Sequence, residues 1–118
     1  MTEVVAFVSK PICHWTPVCQ VSELPVQGSR VLARDGHPDI AVFRTADDSV
    51  FALINRCPHK AGPLSEGIVH GHTVTCPLHA LALDLKSGCA HAPDEGAVQT
   101  IAVRVDAGRV YLDLTGSP

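Results

Sequence analysis

Residues 57–64 read CPHKAGPL and residues 76–79 read CPLH. Each stretch offers one cysteine and one histidine: Cys57-x-His59, then sixteen residues, then Cys76-x-x-His79. Thiolate and imidazole are both metal ligands, and neither pair fills a coordination sphere alone. Two kinds of centre fit all four. Zinc takes two cysteines and two histidines tetrahedrally, but its usual spacing pairs cysteine with cysteine and histidine with histidine. A two-iron, two-sulfide centre with both thiolates on one iron and both imidazoles on the other suits two loops that each give one ligand to each iron. The mixed order found here favours iron–sulfur over a structural zinc. Pro58 and Pro77 directly follow the two cysteines. Lacking an N–H, they stiffen loops whose other amides turn towards the cluster sulfurs.

Two such loops need a rigid scaffold, and the chain reads as strands. Strand signals cover Thr16–Val21, Ser29–Ala33, Ile40–Thr45, Val50–Ile54, Ile68–His70, Thr73–Cys76, Leu81–Leu85, Val98–Val105 and Arg109–Leu114. ELPVQG, RDGHPD and TADDS break them, and RDG and DAG carry the Asp and Gly of tight turns. In TIAVRVDAGRVYLDL, Ile101, Val103 and Val105 alternate with Ala102 and Arg104, the period of a half-buried antiparallel strand entering a hairpin. No helical period lasts three turns. The expected fold is all-β, with small antiparallel sheets stacked or closed into a barrel.

At 118 residues the chain suits a single domain with one core. Hydrophobic residues make up 46% and net charge is −3, from nine basic and twelve acidic residues. That balance indicates a globular protein without the basic patch that nucleic acid requires. The opening MTEVVAFVSKPICH has no basic n-region and is broken by Ser9, Lys10 and Pro11, so it reads as no export signal. No later run is long enough to span a bilayer, and a cytoplasmic location is expected. Five cysteines at irregular spacing argue against a disulfide framework, and Cys13, Cys19 and Cys89 are expected as reduced thiols. Trp15 is expected in the core. His70 and His72 are expected on an exposed turn, not as ligands.

With its ligand spacing, the two prolines and the β context, the sequence resembles a Rieske [2Fe–2S] domain. The resemblance implies one cluster per chain, held by Cys57, His59, Cys76 and His79. It also implies a cluster-binding part over about residues 55–92 within a domain of 15–118, behind an N-terminal extension of 1–14. Two ferric ions, two sulfides, two thiolates and two neutral imidazoles sum to zero charge, so reduction is easier than in an all-cysteine centre. Rieske potentials accordingly span about −150 to +300 mV, against about −400 mV for plant-type ferredoxins. Four protein ligands and the sulfides fill both irons, which implies one-electron transfer and no substrate site. Respiratory-complex Rieske proteins carry a Ser and a Tyr where this chain has Leu81 and Leu83, and loop-stapling cysteines where it has Gly62 and Leu78. The resemblance therefore implies a low-potential centre without a loop disulfide. APDEG (residues 92–96) is similar to the third, shielding loop of the family.

Longer stretches are similar to the small subunit of assimilatory NAD(P)H-dependent nitrite reductase: IAVFRTADDSVFAL (40–53), CPHKAGPLSEGIVHGHTVTCPLH (57–79), DLKSG (84–88) and APDEGAV (92–98). This implies a non-catalytic redox subunit whose large partner carries FAD, a [4Fe–4S] cluster and sirohaem and reduces nitrite to ammonium. ALAL after CPLH departs from the aromatic residue usual there. The alternatives are a freestanding Rieske ferredoxin serving a ring-hydroxylating oxygenase, and an interaction module with a structural zinc.

Overall fold

A computed structural model describes residues 15–57, 63–76, 81–91 and 96–114. Among these, nine strands form two antiparallel sheets: β1 (Trp15–Gln20), β2 (Gly28–Arg34), β3 (His37–Arg44), β4 (Val50–Ile54), β5 (Ile68–His70), β6 (Thr73–Thr75), β7 (Ala82–Asp84), β8 (Thr100–Asp106) and β9 (Arg109–Asp113). The larger sheet runs β1-β9-β8-β4-β3-β2 and the smaller β5-β6-β7. Each strand lies where the sequence signals it, with ends differing by a few residues. Cys76 falls just outside β6, and Leu85 belongs to the turn after β7. The described residues also include two single 3₁₀ turns, Val21–Glu23 and Leu64–Glu66. One sits at the predicted break before β2, where Leu24 is buried.

The β3–β4 hairpin organises the packing. Its register sets Ile40 against Ile54, Ala41 against Leu53 and Val42 against Ala52. Alternate residues of a strand point to opposite faces. Ile40, Val42, Ala52 and Ile54 face one buried cluster with Leu24, Val110 and Leu112. Ala41, Phe43 and Leu53 face a second, which holds Leu64, Val74, Leu83 and both Cys57 and Cys76. The run IAVF is thus buried on both sides, as an unbroken apolar strand demands. This corrects the single expected core: the described residues form two, sharing one wall.

Two further expectations differ. Trp15 is half-buried on edge strand β1 and belongs to neither cluster. Val105 does not continue the buried face of Ile101, because it lies beside the turn of the β8–β9 hairpin and is exposed. In that turn Ala107 and Gly108 both have positive φ, 52° and 78°.

Candidate iron–sulfur site

β4 ends at Ile54, and Cys57 follows three residues later at the entrance to the first loop. β6 ends at Thr75, and Cys76 is the next residue. Their relative exposures are 1% and 0%, and both sit in the buried cluster between the two sheets. The two predicted thiol ligands are therefore brought to one apolar wall by two separate strands. His59 and His79 lie outside the described residues, as do the rest of 58–62 and 77–80 and positions 92–95 of the third loop.

The necks of all three loops are closed by hydrogen bonds. The Cys76 amide donates to Leu81 O at 2.8 Å, joining the two ends of 77–80. The Ala90 amide donates to Gly96 O at 2.9 Å, closing the third loop. The first loop is closed by side chains: Ser65 N donates to Asn55 Oδ1 at 2.8 Å, and Asn55 Nδ2 donates to Ser65 Oγ at 3.1 Å. Sequence reasoning missed Asn55 and Ser65. The available signal was a hydrogen-bonding residue on either side of a ligand loop, which reads equally well as an ordinary polar turn.

Two glycines let the small sheet sit close to these loops. A Cβ on Gly67 would meet Thr75 O at 2.5 Å and Val74 Cγ2 at 2.9 Å. Gly88 has φ +78°, and a Cβ there would meet Val98 O at 2.2 Å. SEG and KSG are thus points where backbone approaches backbone.

Among the described residues, the side chains that share the buried cluster with the two cysteines are apolar. Leu81 and Leu83, which stand in place of the hydroxyl-bearing residues of respiratory-complex Rieske proteins, are buried in the same cluster. His70 and His72 are exposed on the β5–β6 hairpin, as expected. His70 Nε2 lies 2.9 Å from Thr75 Oγ1. His72 Nε2 lies 3.0 Å from Asp47 Oδ2 in the β3–β4 turn, and its ring meets the edge of Phe51 at 5.1 Å. Asp47 is held well below the usual carboxylate range, first by the Thr45 hydroxyl and then by His72. Asp84 is lowered by the Ser87 amide, which donates to its Oδ2 at 2.8 Å. Cys19 and Cys89 are in no disulfide, Cys13 lies outside the described residues, and burial pushes the Cys19 thiol up. Among the described residues, no helix is long and apolar enough to cross a membrane.

A family model for the Rieske-like [2Fe-2S] domain matches residues 14–113, and the chain belongs to that family. Its cofactor is a Rieske-type [2Fe–2S] cluster, which decides between the two centres that the ligand set admitted. The chain is an electron-transfer domain of the Rieske ferredoxin kind. It is 37% identical over 100 residues to the 3-phenylpropionate/cinnamic acid dioxygenase ferredoxin subunit of Photorhabdus laumondii, covering 83% of this chain and 92% of that one. Among solved structures it is similar to a chain from the complex of reduced oxygenase and oxidised ferredoxin in carbazole 1,9a-dioxygenase. That match has a TM-score of 0.76 and 29% identity, covering 85% of this chain and 93% of the other. It is also similar to a Mycobacterium tuberculosis protein provisionally described as an NADH-dependent nitrite reductase small subunit. There the TM-score is 0.73 and identity 28%, with 83% and 92% covered.

The donor set fits the group. An oxidised centre with two thiolates and two neutral imidazoles carries no net charge, so an apolar wall around Cys57 and Cys76 accepts it without large desolvation cost.

Proposed function

We propose that this chain is a Rieske ferredoxin that supplies electrons, one at a time, to the terminal oxygenase of a ring-hydroxylating system in the cytoplasm. The observation that carries this reading is the 37% identity to a dioxygenase ferredoxin subunit, spread over most of both chains. Cys57 and Cys76 would hold one iron, and His59 and His79 the other. The domain would occupy residues 15–118, behind an extension of 1–14, with its cluster-binding part at about 55–92. The cluster, when bound, supplies a reversible one-electron couple. The chain's own residues hold it against an apolar wall that includes Leu81 and Leu83. With leucine side chains at 81 and 83 in place of hydroxyls, the additional negative charge of the reduced state gains no side-chain hydrogen bond from those two positions, which keeps the potential low in the family range.

The second reading is the nitrite reductase small subunit, supported by structural similarity to proteins so described. The run GPLSEGIVHG lies within the 57–79 stretch that resembles that subunit, yet its residues have structural duties here. Leu64 is buried, Ser65 closes a loop, and Gly67 lies against β6. Those duties serve any Rieske scaffold of this shape, so the run discriminates weakly between partners.

The test is reconstitution of the cluster-loaded protein in two mixtures. One holds an NADH-dependent reductase and a 3-phenylpropionate dioxygenase oxygenase without its own ferredoxin. The other holds a sirohaem nitrite reductase large subunit. Restored ring dihydroxylation supports the proposal; stimulation of ammonium formation alone supports the second reading instead.

A further inference from the structure

Asn55 stands two residues before Cys57, where β4 has ended and the chain turns into the first loop. Its half-buried side chain reaches across the loop's neck to Ser65, accepting from Ser65 N at 2.8 Å and donating to Ser65 Oγ at 3.1 Å. The amide has one workable orientation, because the Ser65 N–H requires an acceptor opposite it. Both ends of this bridge are anchored to the larger sheet. The Asn55 amide donates to Asp39 O at 2.9 Å, and Ser29 Oγ donates to Ser65 O at 2.8 Å. β2 and β3 therefore hold the two stems, and one side chain sets the gap between them. The second and third loops differ, since a main-chain bond closes each neck. A substitution can thus open the first neck and leave the backbone ladder intact.

We propose that Asn55 is a positioning residue for the iron–sulfur centre: its bridge to Ser65 fixes the stems of the 58–62 loop and so controls how firmly the cluster is held. This rests on the proposed ligands Cys57, His59, Cys76 and His79. Asn55 touches no iron; it acts through the placement of Cys57 and of the chain leading to His59.

The test uses the cluster-loaded protein as wild type, Asn55→Ala, Asn55→Asp, Ser65→Ala and His79→Ala. Three quantities are read: the EPR signature of the reduced protein, its midpoint potential, and the rate of iron release to a chelator. Asn55→Ala removes both side-chain bonds and is expected to release iron about tenfold faster, with a broadened signature. Asn55→Asp presents carboxylate oxygens to the Ser65 N–H and O–H, so release returns to within about twofold of wild type. Its negative charge lowers the midpoint. Ser65→Ala keeps the N–H and loses the hydroxyl, and falls between. Wild-type signature and release rate in both alanine variants would overturn the proposal, whatever happens to their thermal stability. If Asn55→Ala does not fold, Ser65→Ala decides on the same readouts. A Rieske signature in wild type that survives in His79→Ala would instead show that the ligand assignment has failed.

Discussion

At the scale of single residues, the cysteines are chemically distinguished by what surrounds them. Cys57 and Cys76 share a buried cluster with Leu81 and Leu83, and neither leucine side chain can donate a hydrogen bond. A redox titration is expected to give a midpoint below about +100 mV, in the lower part of the family span. Leu81→Ser adds a hydroxyl beside the Cys76 loop and is expected to raise that midpoint. The lost packing should cost stability of about 2–5 kcal/mol, by analogy with large-to-small core changes, read by urea denaturation. The four proposed ligands stand out in the sequence because metal chemistry restricts residue type and spacing together. Asn55 and Ser65 were not, because an amide and a hydroxyl near a turn are common and only the fold shows them facing each other. The partner was also poorly legible. Residues that look distinctive in a stretch such as GPLSEGIVHG are those that the scaffold constrains, whichever protein docks.

At the scale of elements, turns decide how well the strands are joined. The nine strands were readable from alternation and turn residues, and β8–β9 shows where that reading stops. DAG marked the turn correctly, but not that Ala107 adopts φ 52°. A two-residue hairpin with both central residues at positive φ prefers Asn-Gly. Ala107→Asn is expected to stabilise the protein by about 0.5–1 kcal/mol, seen as a raised Tm. The β3–β4 turn behaves differently, because it reaches the other sheet. Asp47 accepts from the Thr45 hydroxyl and pairs with His72, linking that turn to the β5–β6 hairpin. Its carboxyl is lowered in the fold, so its contribution is present above the unfolded carboxylate value of about 3.9. That contribution is lost as pH falls from there through the lowered folded value. Wild type should lose Tm more steeply than Asp47→Asn below about pH 4, and the two should run parallel between about pH 5 and 6. Equal slopes throughout would show that the pair does not stabilise the folded state.

At the scale of the whole molecule, the β3–β4 hairpin divides two interiors with different tasks. Leu53 and Leu112 are the same residue type with the same 0% exposure, but Leu53 faces the cluster with both cysteines and Leu112 faces the other. Either one changed to alanine should cost about 2–5 kcal/mol by denaturation. Only Leu53→Ala is expected to speed iron release to a chelator as well, which separates loosening of the site from loss of stability. The composition pointed to one core because size and hydrophobic content say how much is buried, not how many faces a strand turns inward. The doubled interior follows from chain path. β4 pairs directly with β8, Leu53 opposite Thr100, so the chain departs from one rung and returns beside it after building the small sheet and all three loops. The Ile54 amide donates to Gln99 O at 3.0 Å just beyond the departure point. That makes the intervening segment a cassette whose two ends meet at one place in the frame, with Ser29–Ser65 and Asp47–His72 as further ties to it. Lengthening such an excursion costs only about 0.6 kcal/mol per doubling while its ends stay paired. One six-stranded chassis can therefore carry cassettes of different length, and new docking partners can be acquired at the loops without refolding the base.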